Sequence, residues 1–104
     1  MYEFKESDWR LFRERLPGWQ ESCMERLTKE YIELLSGDGD ASNKFWELEK
    51  RIRRDRKKTG VCANMSRSNM VTNILSLLNE EVISLNDLSG FSDDLTERLR
   101  FVYR

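Results

Sequence analysis

Two cysteines, 19 carboxylates and one tryptophan set among cations are the side chains of this sequence with chemistry to offer. There is no histidine. That removes the Ser–His and Cys–His nucleophile–base pairs, the commonest transition-metal ligand, and the side chain that titrates near neutral pH. Cys23 and Cys62 stand far apart with no CxxC, so a four-ligand zinc site cannot be assembled from one chain. The pair reads as reduced thiols of a cytoplasmic protein, with Cys23 a small hydrophobe on an apolar helix face. Carboxylate clusters are the remaining option. Asp38-Gly39-Asp40 is too short for an EF-hand loop. Glu80 to Glu97 holds Glu80, Glu81, Asp87, Asp93, Asp94 and Glu97 with no Lys or Arg between them. Asp93 and Asp94 have a sufficient local role at a helix N-terminus. An enzyme built on carboxylates alone would need two acids with separated pKa values in one pocket. The expectation is therefore a non-enzymatic protein with no catalytic residue, no metal and no cofactor.

Charge is segregated along the chain. Lys44 to Lys58 carries eight basic residues (Lys44, Lys50, Arg51, Arg53, Arg54, Arg56, Lys57 and Lys58) against Glu47, Glu49 and Asp55, although the whole chain is formally −1. On a helix, Trp46, Lys50, Arg53 and Lys57 share a face opposite Phe45, Leu48 and Ile52. A flat aromatic among cations suits an acidic protein surface or a phosphate backbone. The expected contact residues are Trp46, Lys50, Arg53, Arg54 and Lys57. A second candidate patch is Arg67, Ser68 and Asn69, just before an apolar segment. Bland alternatives exist for both: a solvated face whose long stems cover apolar surface, and helix capping. The near-neutral total disfavours nucleic acid, which usually meets a basic domain.

The elements that must position these residues follow from periodicity. Ser7 is placed to cap a first helix, with Asp8 in its first turn and Trp9, Phe12 and Leu16 on one face. Pro17-Gly18 predicts a kink or a new start. From Trp19 to Leu35, the residues Trp19, Cys23, Met24, Leu27, Tyr31, Leu34 and Leu35 span one broad arc, and Glu25–Lys29 is a favourable i,i+4 pair. Gly37 stops that helix before the Asp38–Asp40 turn. A third helix is predicted from Ala41 to about Lys57, capped by Asp40 or Ser42, with Phe45, Leu48 and Ile52 as its inner stripe. Thr59-Gly60 ends it and residues 61–64 read as irregular. The next helix starts near Ser66 or Ser68, and its wide apolar arc (Met70, Val71, Ile74, Leu75, Leu77, Leu78) marks it as the most buried. Val82-Ile83 reads as extended. Ser84 with Asp87 mimics a capping box for a turn of helix through Leu88. Ser92 caps a last helix whose inner face is Leu95, Leu99 and Val102.

No window alternates long enough to argue a sheet. The expected fold is all-α: one domain over residues 1–104, a compact bundle of four to five helices with short loops. This size lies near the lower limit for a single core and leaves room for a homodimer. Residues 74–78, 84–88 and 92–103 follow the rhythm of a winged helix-turn-helix. The acids Asp93, Asp94 and Glu97 would set the would-be recognition helix against phosphate. The acidic 80–97 segment could lie against the basic helix, within one chain or across a dimer. The most apolar window, Met70 to Leu78, is broken by Thr72, Asn73 and Ser76 and is far short of a membrane span. Residues 1–5 contain no apolar leader run. No membrane association is expected.

Phe4-Lys5-Glu6-Ser7-Asp8-Trp9, Leu16-Pro17-Gly18-Trp19-Gln20, Phe45-Trp46-Glu47-Leu48-Glu49-Lys50, Arg67-Ser68-Asn69-Met70 and Phe91-Ser92-Asp93-Asp94-Leu95 together resemble a family of all-helical proteins of about this length from Gram-positive gut and soil bacteria. Some members carry a multidrug-transporter label, which the short apolar runs of this chain argue against. The resemblance implies a helical fold and assigns no functional residues. The functional expectation is a small soluble protein-binding module (a regulator, accessory subunit or inhibitor) acting on an unidentified partner. The alternative is a nucleic-acid-binding module using the same basic helix.

Overall fold

The computed structural model describes residues 5–103. Residues 1–4, including Phe4 of the family-like segment and most of the stretch read as lacking a leader, lie outside the described residues, as does Arg104. Four α-helices carry the chain: α1 (Glu6–Ser36), α2 (Ala41–Asp55), α3 (Met70–Asn79) and α4 (Asp93–Val102). Short 3₁₀ turns at Arg67–Asn69 and Leu85–Leu88 lead into α3 and towards α4. No strand occurs among the described residues. The fold is all-α, as its periodicity predicts.

Of the kink or new start expected at Pro17-Gly18, the new start does not occur: α1 is one helix of 31 residues with Pro17 inside it. A proline there removes one backbone hydrogen bond and crowds the preceding turn, at a cost of about 3 kcal/mol. Packing on both sides of the proline outweighs that cost. Trp9, Phe12 and Leu16 before it, and Cys23 and Leu27 after it, are all buried. Trp19 stacks on Phe91 at 6.4 Å and meets Phe12 at 6.3 Å. Pro17 itself is on the exposed side, so its ring and the freed carbonyl face solvent.

The main core lies at one end of the molecule. The first half of α1 supplies Trp9, Phe12 and Leu16; α3 supplies Met70, Ile74, Leu77 and Leu78; α4 supplies Leu95 and Leu99. α3 is indeed deeply buried. Val102, expected on the inner face of α4, is 60% exposed, because the helix ends there and only its earlier turns reach the core. Ser7 does not cap α1, which starts at Glu6 after Lys5. Asp8 is instead buried and accepts from the backbone N–H (2.8 Å) and the hydroxyl (2.6 Å) of Ser92. Ser92 in turn caps α4, its Oγ accepting from the Leu95 N–H. The Ser84–Asp87 capping box forms as expected. Val82-Ile83 is not extended; it follows a tight turn at Glu81, whose φ is +60°.

The second half of α1 leaves the core and pairs with α2 as a helical hairpin, turned through Gly37 to Asp40 with Gly39 at φ +127°. This gives an elongated molecule of 52 × 23 × 23 Å. α2 ends at Asp55, two residues earlier than predicted, and Asp40 occupies its N-cap position without a side-chain cap bond. Its return to the core is clamped by Glu80, whose two carboxylate oxygens accept from the backbone N–H groups of Thr59 and Gly60, each at 3.0 Å. Gln20 donates to the Thr59 carbonyl at 3.1 Å. Gly60 is required by contact: a Cβ there would lie 2.6 Å from the Cys23 sulfur and 2.8 Å from Val82.

Candidate interaction surface on the hairpin

α2 is amphipathic, but only part of its apolar stripe is covered. Leu48 is half-buried against α1. Phe45 and Ile52, expected on the inner side with it, are 61% and 44% exposed. One neighbouring helix covers a narrower arc than a bundle interior would, so the flank of the stripe stays open.

The basic face points outward. Trp46 is 64% exposed, with its ring edge-to-face on Phe45 at 5.0 Å. Lys50, Arg53, Arg54 and Lys57 are all exposed. The acids in the same segment take up much of the arginine charge. Arg51 pairs with Glu47 at 3.2 Å, Arg53 with Glu49, and Arg54 with Asp55 at 3.0 Å. Lys58 also reaches Asp55, at 3.3 Å. Among the described residues, Lys44, Lys50 and Lys57 make none of these ion pairs. Lys44 and Lys50 are the open cations beside the indole, and Lys57 lies two residues beyond the end of α2. A depression of about 520 Å³ runs beside Trp46, bordered by Leu34, Asp38, Gly39, Lys44 and Lys50.

The second candidate patch lies elsewhere. Arg67 is ion-paired to Glu6 at 2.5 Å, at the start of α1, whereas Trp46 borders the end of that helix. Thirty helical steps separate those ends, about 45 Å at 1.5 Å per residue. Arg67, Ser68 and Asn69 form the 3₁₀ turn before α3, and neither Ser66 nor Asn69 makes a side-chain cap bond. Arg67 and Asn69 therefore do not belong to one surface with Trp46. The acidic 80–97 segment does not lie along α2 either. None of the ion pairs among the described residues joins them, and Glu80 meets only the backbone beyond the end of α2.

A feature not foreseen from the sequence is the buried Asp55. It is 1% exposed, and the Tyr31 hydroxyl donates to it at 2.5 Å. Burial alone would raise the Asp55 carboxyl. Hydrogen bonds from Arg54, Tyr31 and Lys58 outweigh it and pull the carboxyl down to about 2. Burial, then the hydrogen bond to Asp55, push the Tyr31 hydroxyl up to about 12. The signal was present: Asp55 stands seven residues after Leu48, on the α1-facing side. Next to this pair a groove of about 340 Å³ runs between the helices, lined by Met24, Leu27, Thr28, Ile52, Arg56 and Val61. No group of three or more His, Cys, Asp or Glu side chains able to hold a metal occurs among the described residues. No described helix is long and apolar enough to cross a membrane. Cys23 is buried and Cys62 exposed, and both are free thiols.

No family model, curated protein or solved structure matches the chain.

Proposed function

We propose that the chain is a non-enzymatic protein-binding module, a regulator, accessory subunit or inhibitor, that engages an acidic partner surface through the outward face of α2. The supporting observation is an indole held 64% exposed on α2 beside Lys44 and Lys50, whose ammonium groups make none of the ion pairs among the described residues; Lys57 follows just past the helix end. Tryptophan is a residue that binding hot spots favour, and the lysines supply charge complementary to an acidic surface. Arg53 and Arg54 flank this centre and contribute through partly neutralised guanidinium groups. A phosphate-backbone reading is weaker because Glu47, Glu49 and Asp55 neutralise much of the helix, and counterion release scales with free cations.

Affinity capture with the wild type and with a Trp46→Ala/Lys50→Glu variant, read by mass spectrometry, tests the proposal. The variant is expected to lose the wild type's specific partner while its unfolding free energy stays within the scatter of surface substitutions, about 0.5 kcal/mol. A large fall in melting temperature would make Trp46 a packing residue instead. A labelled duplex or single strand that shifts at low salt, with affinity falling linearly in log salt, would favour nucleic acid.

A further inference from the structure

We infer that the open flank of the hairpin is a self-complementary interface that pairs with a second copy of this chain to form a four-helix bundle. This surface adjoins the outward Trp46 face and does not depend on the partner reading above.

The flank is apolar along both helices. Met24 and Leu35 on α1 are 42% and 46% exposed, and Phe45 and Ile52 on α2 are 61% and 44% exposed. Met24 and Ile52 line the same groove between the helices. Leu35 lies eleven residues from Met24, and Phe45 seven from Ile52, so each returns to the same side of its helix. Two helices alone leave such a stripe in water. Two hairpins stacked on it reproduce the interior of a four-helix bundle.

The charges at the edges identify the occupant. On α1, Glu21 and Glu25 are one turn apart, are exposed, and border Met24 on the side away from α2. The ion pair that its spacing to Lys29 invites is not among those of the described residues, so Glu25 is not neutralised along its own helix. On α2, exposed Arg56 lines the groove beside Ile52 and makes no ion pair among the described residues. A partner of one charge sign would suit one edge and be repelled by the other. A second copy suits both. A two-fold axis along the hairpin lays α1 of one copy on α2 of the other, so each acidic edge meets a basic edge, as an isologous interface requires. The levels agree: the groove that Met24 and Thr28 share with Ile52 and Arg56 puts Glu25 and Arg56 at the same height.

Sedimentation equilibrium of the full chain, with charge-swap variants, tests this. The wild type is expected at twice its 12.5 kDa mass. Ile52→Glu is expected to give the single mass while keeping the near-ultraviolet signal of its core aromatics, since Ile52 does not belong to that core. Glu25→Arg alone and Arg56→Glu alone each set like charges together at both contacts and are expected to be monomeric. Mixing these two variants restores both opposite-charge contacts and is expected to restore the double mass. A wild type that stays monomeric up to millimolar concentration overturns the inference. So does a mixture that associates no more than its components. Lys50→Glu, on the opposite side of α2 from Phe45 and Ile52, should leave the double mass unchanged, which separates failure of this interface from failure of the partner surface.

Discussion

Asp55 shows how one side chain fixes the geometry of the hairpin. Its carboxylate is held by Tyr31, Arg54 and Lys58. Its folded pKa, about 2, lies below the ordinary aspartate value near 4. A depressed carboxyl adds stability that is present above its unfolded pKa and is lost as pH falls through the folded one. Stability should therefore drop by about 2 kcal/mol between about pH 4 and pH 2 from this group alone. Tyr31 works in the opposite sense: its raised pKa, about 12, adds stability that fades above about pH 10. Asp55→Asn should be less stable at neutral pH by roughly 1 to 3 kcal/mol and should show a flatter acid limb. Thermal melts of both proteins across that range check this, and an unchanged acid limb would count against it. In the sequence, Asp55 reads as one of three acids diluting a basic run. Its inward position is legible from the spacing to Leu48, but its partner Tyr31 sits on another helix, and that pairing is made only by the turn at Gly37 to Asp40.

At the scale of elements, periodicity located the helices and erred where tertiary contacts compete with a local preference. Pro17 is the clearest case. The local rule predicts a kink or a new start, and buried anchors on both sides of the residue keep α1 one continuous helix. Pro17→Ala restores a backbone hydrogen bond at an exposed position and should stabilise the protein by about 1 to 3 kcal/mol. Denaturant titration measures this; no gain, or a loss, would mean that the ring itself is needed. The apolar stripe of α2 errs for a different reason. Spacing shows that Phe45, Leu48 and Ile52 share a side, but not how much of that side a neighbour covers. Here one helix covers Leu48 and leaves the other two open.

The whole molecule is a core with a projecting hairpin. Its radius of gyration is 16.5 Å, against about 13 Å for a compact chain of this size. The apolar cluster of α1, α3 and α4 sits at one end and includes no residue of α2. Opening of the hairpin should thus cost less than opening of the core. Native-state hydrogen exchange should show amides of α2 and of the last turns of α1 exchanging through a partial opening, while those of Ile74 to Leu78 exchange only with global unfolding. Equal protection throughout would instead make the chain one cooperative unit. The same shape keeps the two sequence-derived patches apart, with Arg67 anchored to the start of α1 and Trp46 beside its end.

Sequence alone determined that this chain is helical, that the sequence holds no histidine, and that Trp46, Lys50 and Arg53 share one side of α2. Those properties are local: residue type and a period of 3.6 fix them without reference to any other segment. Tertiary structure decided which apolar residues are inside, that Pro17 leaves α1 intact, and that half of α1 stands clear of the core. It also decided that Asp55 is buried while Phe45 and Ile52 are not. Each of these depends on what packs across from a residue, and burial is a property of a pair of surfaces rather than of one.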